Sequence, residues 1–235
     1  MRLVVVVVSM TLRVDERATD VREIDRFEGG VGWIAHPEET IQRASHALAV
    51  DDEVWVIDPV DADGLDGLLA EFGEVAGVVV TFDRHTRDAA TVANRHGVSV
   101  SLPSFFENVA EGIDAPITRF GAELDETGFE VHVLQNNRFW QEIALYDPDE
   151  RTLVVPESVG TAAYFLARGE RLGVHPMLRG FPPRDLAGFD PDRVLVGHGE
   201  GVFAAASSAL RSAIDGSRRR MPALYAKTLR TFLPV

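Results

Sequence analysis

"VAGVVVTFDRHTRDAA", residues 75 to 90, decides how this chain folds. Its first six residues form an unbroken apolar run, as expected of a central strand buried on both faces, and Ala89, Val92 and Ala93 beyond it recur at helical spacing. Between them lies a polar loop, Thr81 to Asp88. The stretch predicts strand, loop and helix in that order, and Gly97 supplies a left-handed stop for the helix.

The same alternation extends outward in both directions. Toward the N-terminus, "DGLDGLLAEFG" spaces Leu65, Leu68, Leu69 and Phe72 as a helix, and "RASHALAVDDEVWVIDPVD" reads as a hairpin turning at Asp51 and Asp52. Toward the C-terminus, "VSVSLP", "FEVHVL", "EIALYD" and "RTLVVP" read as strands, with "DPDE" (147 to 150) as a turn. "GTAAYFLARG" is expected as a short helix, residues 173 to 192 as a long connection, "DRVLVGHG" as a strand entering a loop, and "FAAASSALRSAI" as a closing helix within a helical segment 203 to 235. No Gly-, Ser- or Pro-rich linker divides the chain and no repeat is visible, so residues 1 to 235 are expected as one α+β domain with helices outside a sheet sandwich.

Composition narrows the classes of function. The chain has 235 residues, with 37 acidic against 23 basic side chains, a net charge of −14, and Lys227 as its one lysine. An acidic, nearly lysine-free composition suits a protein kept soluble in concentrated salt, where repulsion is screened within a few ångströms, and predicts the cytoplasm of an extreme halophile. It argues against a general nucleic-acid binder; "SRRRM" (217 to 221), with Lys227 and Arg230, reads as a solvated helix end. No cysteine is present, which excludes disulfides, thiolate metal sites and cysteine nucleophiles. There is no phosphate loop with a lysine, no Rossmann glycine fingerprint and no Gly-x-Ser-x-Gly turn. The opening "MRLVVVVVSM" is too short to span a bilayer and is expected either as an extra strand or as sequence upstream of a start at Met10.

The order of elements across residues 30 to 205, from the hairpin ending in "VIDP" through "LVVPES" to "VLVGHG", resembles the metallo-β-lactamase superfamily. The resemblance implies a four-layer αββα sandwich with metals at one edge of the paired sheets. It places Asp58, the 81 to 88 loop, Glu157 and His198 on that edge. The family's ligand loop reads His-x-His-x-Asp-His. Anchored on Thr81, that pattern meets Phe82, Arg84, Thr86 and Arg87; anchored on Asp88, it meets Arg84, Thr86 and Ala89. The family's next histidine falls at Asn136 or Asn137, its bridging aspartate at Glu157, and its last histidine at His198.

Two guanidiniums bring fixed positive charge to a place that must hold divalent cations, so the resemblance implies a decayed two-zinc site. One reading is a non-hydrolytic protein without a cofactor, regulatory or ligand-binding. In it Arg84 and Arg87 beside a helix start, with His175 and Arg179 from the long connection, bind a small-molecule anion. The other is a divergent hydrolase using one metal (zinc, iron or manganese) at His85, Asp88, Glu157 and His198. His85 could instead simply bond Asp88, and His175 could be a turn histidine. Asp58 is expected to brace neighbouring loops and His46 to be a satisfied core histidine. Trp140 and Glu142 would form a pocket wall or core. His36, His96 and His132 carry no usable pattern.

Overall fold

A computed structural model describes residues 11 to 232. The extra strand expected in residues 1 to 10 lies outside the described residues. Seven strands form one mixed sheet in chain order: β1 (Arg22–Phe27), β2 (Gly30–Ile34), β3 (Ala44–Val50), β4 (Glu53–Ile57), β5 (Glu74–Val79), β6 (Val100–Pro103) and β7 (Ile117–Phe120). A second sheet holds β8 (Glu130–Asn137), β9 (Trp140–Asp147), β10 (Thr152–Val155) and β13 (Arg193–Val196), in the order β13-β10-β9-β8. β11 (Val159–Gly160) and β12 (Gly173–Val174) pair separately. The helices are α1 (Leu65–Ala70), α2 (Ala89–His96) and α3 (Ala206–Phe232).

Period-two alternation along the strands builds the layers. In β4, Val54 and Val56 join Leu65, Leu69, Val92 and Ala93 beneath α1 and α2, whereas Trp55 and Ile57 point into the space between the sheets. In the second sheet Ile143, Leu145, Val154 and Leu195 fill that same space, and Leu153, Val155, Val194 and Val196 turn outward onto Leu210, Ala213 and Ile214 of α3. Helix, sheet, sheet, helix is the αββα order. The β3–β4 hairpin turns at Asp51 and Asp52, both at left-handed φ (49° and 67°), the geometry a two-residue hairpin loop requires.

The structure departs from the sequence reading in four places. Strands β1, β2 and β7 were not expected. The "GTAAYFLARG" helix does not form: Thr161 and Ala162 both donate their N–H to the His198 carbonyl, Arg179 takes the Phe165 carbonyl, and only isolated turns remain. The long connection is also more ordered than expected, holding β12 and two 3-10 helices at Pro176–Leu178 and Arg184–Gly188. The basic cluster lies within α3 rather than at its end; Arg218 donates to the Gly180 carbonyl and Arg220 to that of Ser212. Among the described residues no helix is long and apolar enough to cross a membrane.

β4 runs parallel to β5 and β10 runs parallel to β13, so four C-terminal strand ends meet at one edge. The two sheets are stitched there by main-chain bonds from Ala44 N to Gly197 O, Ile143 N to Thr81 O and Asp83 N to Gln141 O.

Candidate functional site

Asp58, at the end of β4, has a left-handed φ of 46°, and its buried carboxylate accepts from Thr81 N (2.8 Å), Thr81 Oγ1 (2.6 Å) and His85 Nδ1 (3.0 Å). Burial alone would raise this carboxyl's pKa. The charge and hydrogen bond of His85, with Arg87 and Thr81, outweigh it and hold the group below its ordinary value. An ionised carboxylate only accepts, so His85 carries its proton on Nδ1 and turns Nε2 inward, 3.1 Å from Glu157 Oε2.

His198 follows β13 between two glycines that only glycine suits: a Cβ at Gly197 would stand 2.2 Å from Pro156 O, and Gly199 sits at φ 91°. Its Nδ1 donates to the Ile41 carbonyl (2.8 Å), which directs Nε2 to the same Glu157 Oε2 at 2.7 Å. Glu157 follows β10, and its second oxygen, Oε1, lies 3.3 Å from His175 Nε2. The His175 Nδ1 accepts the Met177 N–H, so the neutral ring has its proton on Nε2, facing the carboxylate. Burial would raise the Glu157 carboxyl, but His198 and His85 together hold it far below the carboxylate range.

The candidate residues therefore separate into two groups. His85, Glu157 and His198 converge, each with a donor atom within 4.8 Å of the others, and His175 and Asp58 flank them. Asp88 does not join them; its carboxylate accepts from Asp61 N (2.8 Å) on the far side of the loop. His85 is thus bonded to Asp58 and not to Asp88. Arg87 is turned inward by a left-handed φ of 37° and donates to the carbonyls of Ala44, Asp58 and Gly197. Burial pushes its pKa down to about 10. One of its terminal nitrogens stands 3.4 and 3.3 Å from the two ring nitrogens of His85; near-equal distances put it over the ring face, off both lone-pair directions. Arg179 is fully buried on Glu170 and on the Val174 and Phe165 carbonyls. Only Arg84 stays exposed, over the rings of Phe82 (4.6 Å) and Trp140 (5.1 Å). Asn136 and Asn137 sit exposed at the β8–β9 turn, where Asn136 Oδ1 accepts from Gln141 and Asn137 Oδ1 from Phe139 N.

Solved structures share this arrangement of sheets and helices. The DIM-1 metallo-β-lactamase, from a crystal exposed to ceftazidime, superposes with a TM-score of 0.63 at 13% identity, covering 86% of this chain and 100% of the other. The chain has the metallo-β-lactamase fold. The metallo-β-lactamases from Pontibacter korlensis (TM-score 0.59, 14% identity, 83% and 99% covered) and Hirschia baltica (0.55, 11%, 83% and 98%) are similar to it in the same way. No family model and no curated protein matches the sequence. Within the fold, the three converging donors could hold one divalent cation. Among the described residues, His85, Glu157 and His198 are the one group of three such side chains close enough to share an ion.

The missed members of this site came from distant main-chain bonds. Ile41 and Met177 contribute only a carbonyl and an N–H, which no side-chain pattern announces.

Two further histidines set a pH limit on the fold. His46 is buried with Nε2 on the Val196 carbonyl (3.0 Å), and burial pushes its pKa down to about 4; burial does the same to His175. Both are neutral in the fold, while the unfolded chain takes up these protons below pH about 6.5, so acid favours unfolding. Stability should hold above pH 6.5 and fall toward pH 4, with His46 contributing at most about 3 kcal/mol of the loss. Urea denaturation at pH about 7 and about 5 checks this; equal unfolding free energies would contradict it.

Proposed function

We propose that this chain binds one divalent cation, zinc foremost, at His85 Nε2, Glu157 Oε2 and His198 Nε2, and acts as a single-metal hydrolase. The observation that carries the reading is the commitment of both Nδ1 atoms. His85 gives its Nδ1 proton to a buried carboxylate and His198 gives its own to a carbonyl, so two Nε2 lone pairs face the Glu157 carboxylate. Lone pairs against a carboxylate repel unless protons or a cation lie between them. Imidazoles fixed by outer oxygens around a carboxylate are a donor set that zinc favours.

When bound, such an ion would supply a Lewis acid for a substrate oxygen or a water. The chain's own residues do the rest. Asp58 and Ile41 orient the imidazoles, and the His175 Nε2–H restrains the second oxygen of Glu157. Arg84, on its aromatic shelf, is placed to draw anionic groups toward the edge.

A second reading keeps the centre free of metal and the protein non-hydrolytic, and Arg87 favours it. Its buried charge already neutralises part of Asp58 and Glu157, and protons on His85 and His198 would complete the balance. The terminal nitrogens of Arg87 are engaged by carbonyls, and Arg179 by carbonyls and Glu170, whereas Arg84 stays exposed to an anion. Hydrolysis of chromogenic ester, lactam and phosphodiester substrates by chelator-treated and zinc-restored protein decides between the readings. The hydrolase reading expects at least one activity that zinc restores and that His198→Ala lowers by about a hundredfold or more. Zinc-independent inactivity, with phosphate affinity unchanged in His198→Ala, would establish the second.

A further inference from the structure

Glu142 lies in β9 with no exposed surface, beside the core residues Ile143 and Leu145. A carboxylate in such a position calls for a reason, because burying it without hydrogen-bond partners is strongly unfavourable. Four donors surround it. Glu157 N (3.0 Å) and Ser158 N (2.7 Å) donate to Oε1, while Trp140 Nε1 (2.7 Å) and Ser158 Oγ (2.5 Å) donate to Oε2. Two of these are consecutive backbone amides, one of them Glu157's own. Glu142 also pairs across the sheets with Phe82, whose ring meets the His85 ring edge-on at 5.0 Å.

We infer that Glu142 is a positioning residue for the cation site, an assignment that rests on the one-cation reading. Two of the three segments that carry donors meet at this residue. Its Oε1 fixes the two peptides that set the direction of the Glu157 Cα–Cβ bond, and its strand position fixes the start of the loop that ends in His85. The Trp140 indole and the Ser158 hydroxyl lock the carboxylate from the other side, so it cannot rotate away from the amides. A glutamine has the same shape but would turn an N–H against one of these donors, releasing either the 157–158 amides or the indole.

The test compares Glu142→Gln with the parent protein by zinc competition against a chromogenic chelator, by melting of the zinc-free protein, and by the ¹⁵N ring resonances of His85 and His198 in zinc-free protein. Positioning expects zinc affinity to fall about ten- to a hundredfold in the variant, with the ring resonances displaced because Glu157 Oε2 has moved from both Nε2 atoms. A lowered melting temperature with zinc affinity within about twofold and unmoved ring resonances would overturn it and make Glu142 a packing residue. Should Glu142→Gln not fold, Ser158→Ala removes one of the four donors. Positioning then expects a zinc affinity loss of up to about tenfold, and an unchanged affinity overturns it. If the parent protein takes up no zinc, the one-cation reading fails by itself, and the ring resonances still show whether Glu142 places Glu157.

Discussion

Glu157→Gln is expected to remove about 3–5 kcal/mol of folding stability at neutral pH, the usual cost of breaking a buried charge network by deleting one partner. In the metal-free chain, with protons on both Nε2 atoms, the carboxylate accepts from His198 at 2.7 Å and His85 at 3.1 Å, with His175 3.3 Å from its other oxygen. It also offsets the buried guanidinium of Arg87, which would be left with Asp58 as its main counter-charge. An amide can accept from one imidazole but presents N–H groups to the others. The folded carboxyl has a depressed pKa, so its contribution is present above its ordinary range near 4.5 and disappears as acid protonates it. The gap between parent and variant should therefore narrow as the pH falls below about 4.5, without closing at pH about 3. Guanidinium denaturation at pH about 7 and about 3 tests both points; a loss below about 1 kcal/mol at neutral pH would show that the cluster is not coupled as its geometry implies.

Arg179→Met is expected to destabilise the fold by a similar amount, about 3–5 kcal/mol, for a different reason. The side chains of Arg179 and Glu170 have no exposed surface, and the guanidinium serves the Val174 and Phe165 carbonyls as well as the carboxylate. Removing it strands a buried negative charge, with Arg220 at 3.5 Å as a partial substitute. Replacing both partners, in Arg179→Met with Glu170→Met, should recover part of the loss, because the stranded charge goes too. Arg179 is thus scaffold under the His175 segment, and the double-mutant cycle would expose the alternative: no stability change in Arg179→Met, with phosphate affinity lost, would return it to a binding role.

What the sequence made legible follows the range of the forces involved. The strand, loop and helix of residues 75 to 97 are local; apolar run, helical spacing and Gly97 all act within a few residues, and the structure has each of them. The element order was enough to expect the sandwich, and Asp58, the 81 to 88 loop, Glu157 and His198 do meet at one edge. The partners within that edge were harder to see. His85 and Asp88 share a loop at helix-like spacing, yet Asp58, 27 positions away in sequence, takes the histidine and Asp61 N takes Asp88. Arg87 reads as an anion-binding charge beside a helix start, but a left-handed φ turns it into the sheets, where it donates to the Ala44, Asp58 and Gly197 carbonyls at strand ends. Glu142 reads as a strand residue beside an aromatic, since its main ligands are amides 15 and 16 positions away. Strands β1 and β7 are edge-side elements with exposed positions, so burial impressed no clear alternation on their sequences.

The number of zinc ions that the folded chain retains tests the single site most directly. Chelator-treated protein equilibrated with zinc, dialysed and measured by atomic emission should hold one ion per chain, and His85→Ala and His198→Ala should each hold none. Two ions in the parent protein, none at all, or one ion retained by both variants would contradict a single site made by His85, Glu157 and His198.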